Sequence, residues 1–74
     1  MEERSESGDH PGGLPELQTA ILRRFAEGES SAQVARALSI SEATMRRNLQ
    51  EARDALGAVS TANAIYLAAK GGLI

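Results

Sequence analysis

The sequence predicts an all-α fold, and three observations lead to this prediction. From Leu14 onward, apolar residues recur with helical spacing. Serines stand before these segments and glycines stand after them, as at the starts and ends of helices. Strand signals are weak, because the chain has one Tyr, one Phe and no alternating apolar run. We therefore expect four helices in one small domain, residues 14–74, since a chain of 74 residues leaves room for one core.

Residues 1–13 are predicted to form a disordered leader or linker. The segment is rich in Glu, Ser and Gly and has no strong hydrophobe after Met1, so it cannot bury enough apolar surface to order itself. It carries four acidic residues and one basic residue, whereas residues 14–74 carry six acidic and seven basic residues. The net charge of −2 therefore does not exclude DNA, because local charge decides what a surface attracts.

The first two helices are expected over residues 15–27 and 30–38. A proline suits the first turn of a helix, because its missing N–H would be unpaired there. Gly28 suits the left-handed residue that ends a helix. Ser30 and Gln33 have the spacing of a capping box at the start of the second helix. The predicted buried residues are Leu17, Ile21, Leu22 and Phe25 in the first helix and Val34, Ala35 and Leu38 in the second.

The third helix is expected over residues 42–56. Ser41 is its predicted cap, and Gly57 is its predicted end. Apolar residues at i, i+4, i+7 and i+11 form one face, which is predicted to be buried. These residues are Met45, Leu49, Ala52 and Leu56.

The fourth helix is expected to begin after Ser60 or Thr61, to end at Lys70, and to be followed by two glycines. Its apolar residues cover more than one face. Leftover apolar surface on a helix often contacts a partner, and a symmetric dimer would bury it. Simple core packing is the alternative. The predicted dimer contacts are Ala64, Leu67 and Ala68.

The second and third helices have the layout of a helix-turn-helix. A short capped helix is followed by a turn of about three residues and then by a longer capped helix. Ala35 is small enough to let the two helices approach closely, and Ile40 in the turn is the apolar residue that sets their angle. The second helix of such a pair lies in the major groove of DNA.

Two arginines early in the third helix favour DNA binding. The helix dipole disfavours Arg46 and Arg47 at this position by about 0.3–1 kcal/mol at an exposed site. An arginine fork that pairs with guanine contributes about 1–3 kcal/mol of discrimination, which outweighs that cost. Gln50, one turn after Arg46, is predicted to contact adenine or a phosphate. A solvated helix face is the alternative interpretation.

Further contacts with the DNA backbone are predicted on the same two helices. Backbone N–H groups at the starts of the second and third helices, at Ser30 and Ser41, can bind phosphates. Arg53 is predicted to lie on the outer face of the third helix and to add positive charge there. A local surface charge pair between Arg53 and Asp54 is the favoured interpretation of this side chain, and a contact with DNA is the alternative.

The stretch LSISEATMRRNLQEARDALG, residues 38–57, resembles the DNA-binding domain of LuxR-family bacterial transcription regulators. The AEG at residues 26–28 and the closing GLI at residues 72–74 resemble the same family. The resemblance spans residues 14–74. It implies a four-helix domain that binds double-stranded DNA, often as a homodimer through the fourth helix. It also implies base-reading positions at Arg46, Arg47 and Gln50, and a backbone contact at Thr44.

Two other functions remain open. In the first, the chain is a protein-interaction adaptor that keeps the helix-turn-helix fold without binding DNA. In the second, the chain is a fragment like sigma-factor region 4, which acts on a promoter together with RNA polymerase. Region 4 shares the style of this helix-turn-helix but lacks the fourth helix and the GLI ending. Steep salt dependence is expected of DNA binding and not of protein docking.

Composition argues against several other classes of protein. The chain has no Cys, and its one His lies in the leader, so we expect no zinc site. The folded part has no His near a Ser or a carboxylate, so we expect neither an enzyme nor a bound cofactor or small-molecule ligand. No apolar run is long enough for a membrane span, and no signal peptide is evident. A cytoplasmic location is the expectation that follows.

Overall fold

The computed structural model describes residues 13–74, which form four α-helices and no strand. The predicted all-α fold class is confirmed. The predicted leader, residues 1–13, lies outside the described residues except for its last residue. Within the described part, no helix has the length and apolar character that a bilayer crossing needs. The helices are α1 (Glu16–Ala26), α2 (Ser31–Ala37), α3 (Glu42–Leu56) and α4 (Thr61–Lys70).

The ends of α1 differ by one residue from the prediction. Pro15 lies just before the helix and not in its first turn, because its ψ of 148° is extended. It still supports the helix, since its carbonyl oxygen accepts the N–H of Thr19 at 3.1 Å. After the last turn, Gly28 has a φ of 94°. This is the left-handed conformation that was predicted for this glycine, and side chains with a Cβ rarely adopt it.

Serine side chains cap the other three helices. The Ser30 hydroxyl accepts the N–H of Gln33 at 3.2 Å, and the Gln33 side chain accepts the N–H of Ser30 at 2.8 Å. This reciprocal pair is the predicted capping box. Ser41 and Ser60 cap α3 and α4 through one hydrogen bond each. The caps satisfy N–H groups that have no partner inside the helix.

A left-handed residue makes the turn between α2 and α3. Ser39 has a φ of 59°, although it is not a glycine. This conformation lets the N–H of Ile40 return to the carbonyl oxygen of Ala35 at 3.0 Å. Ile40 then packs against the side chains that join α1, α2 and α3. The prediction that Ile40 anchors the turn is confirmed, whereas the left-handed serine was not predicted.

Two clusters of buried side chains hold the four helices together. The helix-turn-helix cluster joins α1, α2 and α3. The fourth-helix cluster joins α1, α3 and α4. Both α1 and α3 contribute to the two clusters, and Leu49 of α3 packs against both. The helix-turn-helix cluster contains Ile21, Val34, Ala35 and Met45, and the fourth-helix cluster contains Leu14, Leu22, Ala52, Ala64 and Ala68.

The apolar faces predicted for the first three helices all point inward. Their central residues are fully buried, and the outer members of each stripe are half-buried around them. The spacing of apolar residues therefore located the core side of each helix correctly, because helical periodicity alone sets which residues share a face. The half-buried members are Leu17, Phe25, Leu38, Leu49 and Leu56.

The position of α4 corrects part of the predicted dimer contact. Ala64 and Ala68 have no exposed surface and belong to the fourth-helix cluster. They are therefore unavailable to a partner chain, and core packing is the interpretation that holds for both. Their small side chains let α4 approach α1 and α3 closely. Leu67 is half-buried, and Tyr66 on the outward side is 58% exposed.

The last three residues close α4. Gly72 is left-handed, with a φ of 78°. The N–H of Leu73 then donates to the carbonyl oxygen of Ala68 at 2.8 Å, which satisfies one of the last carbonyl groups of the helix. The side chains of Leu73 and Ile74 pack against the fourth-helix cluster. The GLI sequence therefore ends α4 and adds two apolar side chains to the fourth-helix cluster.

Candidate nucleic-acid interface

The three predicted base-reading residues share the solvent side of α3. Met45, at the start of the buried side, has no exposed surface. A helix turns once in about 3.6 residues, so the residues directly after Met45 project away from the core. Arg46, Arg47 and Gln50 are all exposed. The structure thus brings these three side chains to one surface, beginning just after the turn of the helix-turn-helix.

The first turn of α3 is closed by hydroxyl groups. The Ser41 hydroxyl accepts the N–H of Thr44 and donates to the Thr44 hydroxyl, both at 3.0 Å. The carbonyl oxygen of Thr44 accepts the side-chain amide of Asn48 at 2.9 Å. Ser41 and Thr44 therefore stabilise the helix start that carries the arginines. Ser30 has the corresponding capping role in α2.

Arg46 is paired within its own helix. Its guanidinium donates to the carboxylate of Glu42, one turn earlier, at 3.1 Å. The two side chains are 60% and 46% exposed, so solvent screens the pair. Exposed pairs of this spacing contribute about 0.3–0.5 kcal/mol. The pair offsets the dipole penalty on Arg46, and it is weak enough for DNA to replace.

Arg47 is the more available of the two arginines. Its side chain is exposed. The ion pairs among residues 13–74 involve Arg24 and Arg46 instead, so no carboxylate of this part of the chain neutralises Arg47. A charged fork held by no neighbour is free to bind a phosphate or a guanine edge.

Gln50 has an intrahelical partner of its own. Its side-chain amide donates to the carboxylate of Asp54 at 2.9 Å. No ion pair joins Arg53 to Asp54 among residues 13–74, so the predicted surface pair between them does not form there. Gln50 remains exposed, so the contact can be exchanged for a contact with a base.

Arg53 stands apart from the other predicted DNA contacts. It is half-buried, and its terminal nitrogen donates to the carbonyl oxygen of Val59 at 3.4 Å. Its Nε is buried and has no hydrogen-bond partner in the described residues. The side chain therefore lies along the loop between α3 and α4. The hydrogen bond to Val59 directs the guanidinium toward the loop, although Arg53 follows Gln50 by only one turn of α3.

A polar contact that the sequence did not predict connects α1 to α3. Gln18 is 5% exposed, and its side-chain amide donates to the carboxylate of Glu51 at 3.1 Å. The contact joins α3 to α1 through one side-chain hydrogen bond. The signal was present, because Gln18 precedes Ile21 by three residues and Leu22 by four, a spacing that places it on the buried face of α1.

Comparisons with known proteins agree with this architecture. The protein-family model described as "Sigma-70, region 4" matches residues 14–56, which include α1, α2 and α3. No curated protein matches the chain. Among solved structures, the chain is similar to the response regulator ChrA of a heme-sensing two-component system, with a TM-score of 0.80 and 32% sequence identity.

The two matches differ in extent. The likeness to ChrA covers 89% of this chain. Residues 1–56 make up a smaller share of the chain than this, so the likeness includes part of the segment after α3, where α4 lies. The family match ends before α4. The chain spans about a third of ChrA, since the matched part is 33% of that protein.

Proposed function

The chain belongs to the sigma-70 region 4 family and is a non-enzymatic helix-turn-helix DNA-binding domain of bacterial type, and from this premise we propose that it is the sequence-reading module of a transcription regulator. In this proposal α3 lies in the major groove of double-stranded DNA. The module is of LuxR type, with a fourth helix that pairs two copies. The regulator to which it contributes responds to a signal sensed elsewhere.

One observation carries this proposal. Arg46, Arg47 and Gln50 project from the solvent side of α3, directly after the turn that the helix-turn-helix cluster holds. In DNA-binding helix-turn-helix domains, the first half of the second helix faces base edges. The side chains at these positions are those that recognise guanine and adenine. No other helix of the described residues presents two adjacent exposed arginines beside a glutamine.

The LuxR-type assignment depends on α4. A fragment like sigma-factor region 4 is the second candidate, because the family match covers the first three helices. Such a fragment would bind promoter DNA and contact RNA polymerase, and it would not need to dimerise. The likeness to a response regulator extends into the region of α4 and favours a regulator module. Dimerisation therefore separates these two candidates.

The outward side of α4 is the proposed dimer contact. It carries Tyr66 in an exposed position, with Ala62 and Ala69 beside it. Half-buried Leu67 borders this side. A symmetric interface would place the same residues of two copies against each other, which suits one exposed aromatic side chain flanked by alanines.

DNA binding is tested by titrating the chain against a fluorescent duplex of random sequence at several salt concentrations. For a subunit that neutralises four or five phosphates, a plot of log affinity against log salt concentration should have a slope of about −4. We expect the folded double variant Arg46→Ala plus Arg47→Ala to lose most of the affinity and to reduce the slope by about 2. Circular dichroism checks that the variant remains helical.

The matched control is Arg23→Ala plus Lys70→Ala, which changes the net charge equally. Arg23 borders a groove with Gly72 and Leu73, and Lys70 ends α4, so both lie near the C-terminal segment. We expect this control to keep most of the affinity. Equal losses in both double variants would show that general charge, and not the α3 face, binds DNA. A folded chain without binding at low salt would favour the adaptor function.

A further inference from the structure

The outward side of α3 neutralises its own charge. Two exposed arginines, Arg46 and Arg47, share α3 with three exposed acids, Glu42, Glu51 and Asp54. With two positive and three negative groups, their charges sum to −1. A helix that only bound phosphates would gain from an excess of positive charge, because phosphate binding depends on cations. The acids therefore weaken the interaction that α3 would otherwise have with any DNA sequence.

Two of these acids, Glu42 and Asp54, contact side chains that are proposed to read bases. Glu42 accepts from the Arg46 guanidinium at 3.1 Å, and Asp54 accepts from the Gln50 amide at 2.9 Å. Each acid lies one turn from its partner along the outward side of α3. In the free protein, Arg46 and Gln50 are thus occupied by acceptors that mimic the acceptors of a base edge.

Helix stability explains Glu42 but not Asp54. Glu42 is in the first turn of α3, where the helix dipole favours a carboxylate. Asp54 is in the last turn, where the dipole disfavours one. Its partner Gln50 is neutral, so no ion pair offsets this cost. A carboxylate at a position that weakens the helix is consistent with selection for recognition.

We propose that Glu42 and Asp54 are specificity-determining residues of the α3 face, a proposal that rests on the DNA-binding function above. On unfavourable DNA, the acids meet phosphates and repel them, while Arg46 and Gln50 keep their intrahelical partners. On a matching site, guanine acceptors take the place of the carboxylates, and cytosine or adenine amino groups can satisfy the released acids. Binding energy is therefore gained only where base edges supply both kinds of partner.

The test compares wild-type protein with the double variant Glu42→Gln plus Asp54→Asn. These amides keep the shape and the hydrogen-bonding capacity of the acids and remove both charges. A duplex selected by the wild type from a random pool serves as the matched site, and a scrambled duplex of equal length serves as the reference. We expect the variant to bind the scrambled duplex about tenfold more tightly. We expect the ratio of the two affinities to fall by a similar factor.

The control is Glu16→Gln plus Glu27→Gln, which removes two exposed acids from α1 and its end. Because it produces the same net charge, it measures the general effect of charge on DNA affinity. We expect a smaller gain on both duplexes and an unchanged ratio. If the α3 variant also leaves the ratio unchanged, the acids do not determine specificity, and the DNA-binding function stands without them. If neither wild type nor variant binds either duplex, both proposals fail.

Discussion

The two buried clusters of this domain are built from side chains of different size. Three of the four largest fully buried side chains, Ile21, Val34 and Met45, lie in the helix-turn-helix cluster. Three of the five members of the fourth-helix cluster are alanines. The first cluster therefore gains its stability from apolar area, and the second from the close approach of helices.

This difference indicates how each half of the domain can be disrupted. Removing a large side chain from the helix-turn-helix cluster leaves a cavity, since its neighbours cannot collapse fully. The fourth-helix cluster has little side-chain volume to lose, and enlarging an alanine there forces helices apart. The larger buried side chains thus support the start of α3, the helix that is proposed to contact DNA. The fourth helix packs on the domain largely through alanine side chains, and its aromatic residue, Tyr66, is exposed to solvent.

The largest expected effect is the loss of a large core side chain. Met45→Ala should lower the free energy of unfolding by about 2–5 kcal/mol, because Met45 is fully buried between α1, α2 and α3. Urea unfolding followed by circular dichroism measures this change. Val59→Ala is the control, since Val59 is 83% exposed and its truncation should change stability by less than about 0.5 kcal/mol. Similar effects of the two substitutions would contradict the proposed division of the core.

The next effect comes from overfilling the fourth-helix cluster. Ala64→Leu should lower the free energy of unfolding by about 1–3 kcal/mol, because the side chain has no space between α4 and the helices that it contacts. Ala55→Leu is the control at an exposed helical position outside the proposed dimer contact, and it should be nearly neutral. Denaturant midpoints of the two variants decide the question. If Ala64→Leu stabilises the domain, α4 packs less closely than the structure indicates.

The smallest effect on the folded monomer is expected at the outward side of α4. Tyr66 is exposed, and the Lys70 ammonium lies over its ring in a cation–π contact, 5.8 Å from the ring centre. An exposed contact of this kind contributes about 0.5–1 kcal/mol, so Tyr66→Ser should change monomer stability by no more than that. If two copies pair through this side as proposed, the dimer dissociation constant should rise about tenfold, because interfacial tyrosines commonly contribute more than their neighbours.

Analytical ultracentrifugation over a range of protein concentrations measures this dissociation constant. Val59→Ser provides the control, since it removes an exposed apolar side chain outside the helix. A wild-type chain that stays monomeric at high concentration would count against the LuxR-type dimer and favour the promoter-binding fragment. An equal effect of both substitutions would place the contact elsewhere on the surface.

Local signals in the sequence were sufficient for the helices and for the exposed side of α3. Serine caps, terminal glycines and apolar spacing act over a few residues, so they predicted each helix to within one residue of its observed ends. The same spacing placed Arg46, Arg47 and Gln50 on the side opposite the core. The side of a helix that faces outward follows from periodicity, because the apolar side must be buried.

The sequence by itself therefore determined the four helices, their capped ends and the position of the arginines in α3. Only the tertiary structure decided which alanines of α4 are buried, because an alanine fits equally well inside a close helix contact or at a surface. It also decided that Gln18 binds Glu51 and that Arg53 turns toward Val59. These contacts join residues on different elements, and the distances between them are set only when the helices pack together.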